Sequence, residues 1–158
     1  MRSGRRRKIE LTTRQETWNI TYNHALGETA SWFYAQIRDN AKIYGRRCAE
    51  SGRVLVPPRS FSDQTLQPTT EWVEVGPGGR IETFTIVYEP FQNLPDPPYA
   101  FGYVLLDGAD TAMGGFFRGI DLTDPAAAAA KLKIGTRVVT RFEEQRTGDV
   151  LDFWYDIA

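Results

Sequence analysis

Apolar and polar positions are spaced differently in successive parts of this chain, and each spacing predicts its own kind of element. Leu26, Ala30, Phe33, Tyr34 and Ile37 recur at i, i+4, i+7, i+8 and i+11, which is one face of an amphipathic helix beginning near Gly27. Glu28 near its start and Arg38 near its end suit the helix dipole. Upstream, Ile9 to Tyr22 mixes the β-formers Leu11, Trp18, Ile20 and Tyr22 with polar residues and reads as an extended arm, partly strand. Downstream of the helix, Ala41 to Cys48 reads as a short strand.

Beyond Pro68 the pattern becomes all-β. Glu71 to Val75 alternates, and Gly76-Pro77-Gly78-Gly79 is a turn that should not lie inside a strand. Ile81 to Tyr88, Tyr99 to Leu106 and the glycine-softened Ala112 to Ile120 are the next strands. The proline-rich stretch from Pro90 to Pro98 must be a loop, long enough to be functional on length alone. Asp124-Pro125 followed by an alanine run predicts a short helix with Asp124 as N-cap and Pro125 at N1. Thr136 to Phe142 and Val150 to Ile157 are the last strands, separated by Thr147-Gly148-Asp149. Five strands with a helix before the last pair is the order of an OB-fold, a small, partly open Greek-key barrel.

Between the helix and the barrel lies a frame like that of a two-knuckle zinc ribbon. Such a site takes four soft ligands on two tight turns. Cys48 and Ser51 stand at one pair of ligand positions and Ser62 and Thr65 at the other, across Pro57-Pro58. Cys48 is the only cysteine, so the frame is expected to persist without zinc.

Composition narrows the function classes. A chain of 158 residues accommodates one domain with a real core, or a small domain with an appendage. A net charge of −1 gives no global case for nucleic acid or an anionic membrane. Arg2, Arg5, Arg6, Arg7 and Lys8 are a local basic leader without an apolar h-region, read as a solvated tail. No apolar run is long enough to span a bilayer, and a single cysteine fits a reducing cytoplasm, where the protein is expected to reside.

No catalytic constellation is legible. His24 is the only histidine and sits in the arm; Glu143 and Glu144 are strand neighbours that point to opposite faces; Asp107 and Asp110 flank a glycine as turn formers. Cys48 lies beside Arg46 and Arg47, yet occupies a ribbon position that argues for burial. Binding is better supported. Lys42, Arg46, Arg47, Arg53 and Arg59 gather positive charge around the ribbon, and guanidinium suits phosphate. Lys42, Arg46, Arg47 and Arg59 are therefore candidate contacts to an acidic partner or a phosphate-bearing ligand. Trp32, Phe33 and Tyr34 are consecutive and cannot all lie on one helix face, which suggests a face buried against another chain. Alternation places about half of the strand aromatics inside a barrel and the rest outside.

Several pieces together resemble a known family. Arg47-Cys48, Pro57-Pro58-Arg59, Trp72 with Val75-Gly76, Gly79 to Thr85, Pro98-Tyr99, Val104 to Gly108 and Ile134 to Val138 are similar in order and spacing to the thiolase-associated acyl-CoA accessory proteins. The resemblance implies a mainly β chain: an N-terminal arm (1–24), a helix with a degenerate zinc-ribbon-like segment (25–68) and a five-stranded OB-fold barrel (69–158). It further implies a non-catalytic, hetero-oligomeric scaffold of a thiolase, thiolase-like aldolase or acyltransferase, helping to form the acyl-CoA channel, with no cofactor of its own. The reading from a different class is an OB-fold module for single-stranded nucleic acid. Against it stand the near-zero charge and the acidic Glu71, Glu74, Glu82 and Glu89 in the strands.

Overall fold

The computed structural model describes residues 11–158, so the basic leader lies outside the described residues. Residues 11–26 form neither helix nor strand. Helix α1 (Gly27–Asn40) then buries Phe33 and Ile37, with Ala30 and Tyr34 half-buried beside them; Leu26, expected on the same face, stays exposed. The helix stops where Ala41 turns left-handed and its N–H bonds back to the Ile37 carbonyl.

Strands β1 (Ile43–Cys48), β2 (Val54–Leu55) and β3 (Thr69–Val75) form an antiparallel sheet in the order β2-β1-β3. The strand over Glu71–Val75 therefore pairs with β1 and not with the barrel, because the register sets Arg46 opposite Trp72 and Ile43 opposite Val75. The barrel is built from β4 (Gly78–Val87), β5 (Tyr99–Leu106), β6 (Met113–Phe117), β7 (Arg137–Phe142) and β8 (Phe153–Ile157), with helix α2 (Pro125–Lys131) inserted before β7. Its ring order is β4-β5-β6-β8-β7. Closure between β6 and β8 rests on one parallel pair, Phe117 with Tyr155.

Two sequence expectations shift. Gly78 and Gly79 belong to β4, because this corner strand pairs with both β5 and β7 and the neighbours come very close. A Cβ on Gly79 would meet the Leu105 carbonyl oxygen at 2.9 Å. Residues Val150–Asp152 form a short 3-10 turn before β8. Asp124 caps α2 as expected, accepting from the N–H groups of Ala126 and Ala127.

One core runs through both parts. Phe33, Ile37, Ile43, Val54, Val56 and Val75 from the helix and small sheet join Ile81, Val104, Leu106, Met113, Phe117, Phe153 and Tyr155 from the barrel. Polar stitching accompanies it. The Asp110 carboxylate accepts from Val54 N–H at 2.8 Å, and Thr111 accepts from Val56 N–H at 2.7 Å. At the other end, the Arg146 guanidinium donates to the carbonyl of Arg38 on α1. These links hold the helix and the ribbon segment against the barrel.

Candidate partner-binding site

The ribbon frame folds as two matched knuckles. Cys48 N–H donates to the Arg53 carbonyl and its carbonyl accepts from Gly52 N–H; Ser62 N–H donates to the Gln67 carbonyl and its carbonyl accepts from Leu66 N–H. Gly52 and Leu66, at equivalent places, both have positive φ, +72° and +59°. Cys48 and Ser62 are fully buried, and the Cys48 thiol lies 3.5 Å from the Thr65 hydroxyl. Hydrogen bonding from the Ser51 hydroxyl, then from Thr65 and the neighbouring backbone, brings the Cys48 thiol down to about 6 against the opposing effect of burial. The relic positions Cys48, Ser51, Ser62 and Thr65 thus still face one another.

The donor set does not fit zinc. One thiolate and three neutral hydroxyls are a poor substitute for four soft anionic ligands. The hydroxyls are also committed: Ser62 Oγ accepts from Gln64 and Thr65 N–H, and Thr65 Oγ1 accepts from Gln67 N–H. Among the described residues no group of three or more His, Cys, Asp and Glu side chains is placed to hold a metal ion.

The candidate cations do not converge. Strand alternation sends Arg46 and Arg47 to opposite faces of β1. Arg47 pairs with Glu71 across the sheet at 2.9 Å, and Lys42 with Glu74 at 2.7 Å. The Glu74 carboxylate raises the Lys42 pKa and is itself lowered by the pairing. Arg59 lies 3.6 Å from Asp63, which also holds Arg53. Arg46 differs: it donates to the Thr69 carbonyl and to the Thr29 hydroxyl, and its guanidinium sits 4.9 Å from the Trp72 ring centroid. Its Nε is buried without a hydrogen-bond partner among the described residues. Sequence proximity suggested a cluster; the cross-strand register distributes acids among the bases instead.

Trp32, Phe33 and Tyr34 are taken up within the chain. Trp32 stacks on Trp72 at 3.9 Å and meets Tyr44 edge-on at 5.2 Å. Phe33 is in the core and Tyr34 packs against it. The surplus that suggested a second chain at this helix is absent, because the small sheet supplies a second surface for the helix to cover.

The uncovered aromatic surface lies elsewhere, outside the barrel. Along β5, Ala100, Gly102, Val104 and Leu106 point inward and are buried, whereas Tyr99, Phe101 and Tyr103 point out. Phe116 of β6 joins them, 5.3 Å from Phe101 and 5.8 Å from Tyr99 between ring centroids. Leu94 of the proline-rich loop closes one side of a groove of about 290 Å³ with Val87, Phe101 and Phe116. A second groove of about 350 Å³ continues past Tyr103 to Val150 and Leu151. Phe91, Leu94, Tyr103, Val150 and Leu151 are exposed around it. Alternation in the sequence signalled that such rings exist; that they share one face with the loop depends on the pairing of β5 with β6.

This face holds no reactive pair. Arg118 at its edge is bound to Glu143 at 2.5 Å and lies over Trp154. His24 is exposed in the arm. Asp107 is bound by both terminal nitrogens of Arg137, which lowers its pKa. Buried Asp152 opposes its desolvation by accepting from Thr147, Gly148 and Asp149 N–H, and its pKa is lowered on balance. These acids tie turns together. No helix among the described residues is long and apolar enough to cross a membrane.

Residues 72–143 match the family model described as the ChsH2 C-terminal OB-fold domain. No curated protein matches the chain. Among the solved structures that share its fold are the following two. One, the Ltp2-ChsH2(DUF35) aldolase, aligns with a TM-score of 0.65 and 18% identity over 85% of this chain and 98% of that one. The other is a DUF35-family protein of unknown function from Sulfolobus solfataricus, with a TM-score of 0.61 and 17% identity over 84% of this chain and 87% of that one.

Proposed function

We propose, from the match of residues 72–143 to the family model of the ChsH2 C-terminal OB-fold domain, that the chain is a non-catalytic accessory subunit of a thiolase-superfamily enzyme acting on acyl-CoA thioesters. The observation that carries this reading is the aromatic face of β5 and β6 with the loop beside it. It is apolar, exposed and free of any acid/base pair, as an interface core should be. The similar fold of the Ltp2-ChsH2(DUF35) aldolase supports the choice of partner. The partner's residues perform the bond-making and bond-breaking. This chain covers and shapes the channel, without zinc, in the cytoplasm.

Lys42, Arg47 and Arg59 supply separate polar contacts to the partner or to coenzyme A, away from the aromatic face. Their present ion pairs are exposed and worth little, so a partner's carboxylates or the phosphates of coenzyme A can exchange for Glu74, Glu71 and Asp63 at low cost. Arg46 has no carboxylate to give up. Outward-facing rings on an OB barrel also suit single-stranded nucleic acid, but the groove linings supply only Arg118, already paired with Glu143. The test is co-purification from the native source. A thiolase-superfamily subunit at fixed stoichiometry is the expected result. A partner-free chain that binds single-stranded DNA with strong salt dependence would replace this reading by the other.

A further inference from the structure

Residues 11–26 are exposed without exception, and no backbone hydrogen bond of the described turns and loops involves residues 11–24. Within this arm, Leu11 is 87% exposed, Trp18 76%, Ile20 64% and Tyr22 76%. A single exposed apolar residue is ordinary. Trp18, Ile20 and Tyr22 at i, i+2 and i+4, separated by Asn19 and Thr21 and followed by Asn23, are a different matter. That is the alternation of a strand with one face buried, written in residues that favour strands, yet no strand here pairs with it. The arm's root is fixed: Gly27 turns it with φ +75° into α1, whose Phe33 and Ile37 lie in the core.

We infer that residues 18–23 dock in extended form on the catalytic subunit, adding a strand to one of its sheet edges with Trp18, Ile20 and Tyr22 seated in apolar sockets. The inference rests on the accessory-subunit reading and names the element that does the clasping. The docking segment itself is neutral: residues 11–26 carry one Arg14 against one Glu16, and the basic residues Arg2, Arg5, Arg6, Arg7 and Lys8 lie N-terminal to it. Area supports the docking. Aromatic side chains bury about 150–250 Å² each, so Trp18 and Tyr22 supply roughly 300–500 Å² and Ile20 adds to it. A standard stable interface needs about 800 Å² from each partner. The arm therefore contributes about half of what one stable contact requires, and the barrel's aromatic face can complete it. Backbone pairing supplies affinity and the alternate side chains supply specificity, as in other strand-addition contacts.

The test uses the full chain with the thiolase-superfamily subunit that co-purifies with it. A Trp18→Ser/Ile20→Ser/Tyr22→Ser variant is compared with an Asn19→Ala/Thr21→Ala variant of the opposite face, by titration calorimetry and by hydrogen exchange at residues 18–23. The expected results are an affinity loss of about 100-fold for the first variant and under about threefold for the second, an unchanged thermal melt for both, and amide protection at 18–23 in the complexes of the wild type and the second variant but not with the first variant or in the free chain. Equal affinity of both variants, with the complex intact, would overturn the arm's role and leave the accessory reading standing. A wild-type chain that captures no such subunit would overturn both. A homodimer lost only in the first variant would assign the arm to a second copy and overturn the stated occupant.

Discussion

The Cys48 thiol and the Thr65 hydroxyl lie 3.5 Å apart at the centre of two knuckles whose backbone hydrogen bonds repeat each other. The geometry of a zinc ribbon is held here by hydroxyl hydrogen bonds and by the packing of Val54, Leu55 and Val56 beneath. From the donor set, the wild-type chain should contain no stoichiometric zinc after purification, by elemental analysis. A Ser51→Cys/Ser62→Cys/Thr65→Cys variant should bind one, with cobalt giving the absorption of a tetrahedral thiolate site. One zinc per wild-type chain would show that the hydroxyls do ligate.

The matched φ angles at Gly52 and Leu66 make a second expectation. A left-handed non-glycine residue costs roughly 1–2 kcal/mol, and glycine's extra freedom in the unfolded chain returns about 0.5–1 kcal/mol of that. Leu66→Gly should therefore stabilise the fold by about 0.5–1 kcal/mol, while Gly52→Ala should destabilise it by a similar amount. Denaturant midpoints of the two variants should move in opposite directions.

Gly102 faces the barrel interior on β5, where a Cβ would meet the Thr83 carbonyl oxygen and lie 2.8 Å from the Phe117 ring. Phe117 makes the single pair that closes β6 on β8. Gly102→Ala should cost about 2–4 kcal/mol through overpacking. A melt within a degree of wild type would mean that the strands yield without loss.

Asp152 sets a pH dependence. Its folded pKa lies below the unfolded value because three backbone N–H groups stabilise the carboxylate. That stabilisation is complete above the unfolded value, about 3.9, and is lost as pH falls through the folded one. Asp152→Asn should cost about 1–3 kcal/mol at pH 7 and show a shallower stability loss than wild type as pH falls below about 4. Parallel acid-unfolding curves would assign the acid sensitivity to other carboxylates.

The elements were largely legible from periodicity: α1, β5 and β7 follow the 3.6 and 2 repeats in the residues themselves. Less legible was everything that depends on which strands pair. Glu71 to Val75 alternates like a barrel strand, and only its register with β1 places it in the small sheet. The same register matched Arg47 with Glu71 and brought Glu74 to Lys42, dispersing the expected basic cluster. Trp72 opposite Arg46 likewise gave Trp32 an internal stacking partner that helix periodicity alone could not reveal. Val87, Leu94, Tyr103 and Leu151, far apart in sequence, line adjoining grooves only because β4, β5, β6 and the turn before β8 meet around the barrel.

The interface itself can be tested without touching the core. Tyr103 is 48% and Leu151 57% exposed on the barrel's aromatic face. Tyr103→Ser/Leu151→Ser should leave the melting temperature within a few degrees and weaken subunit association at least tenfold, a loss of about 1.4 kcal/mol or more. Unchanged association would move the interface off this face.

The most direct measurement of the central claim is acyl-CoA thioester turnover by the purified chain, by its thiolase-superfamily partner, and by the two together. The account predicts no turnover by this chain alone and a rate for the pair at least about tenfold above that of the partner alone, the scale expected when one step of substrate positioning is completed. Turnover by this chain alone, or a partner whose rate and substrate range are the same with and without it, would contradict an accessory role.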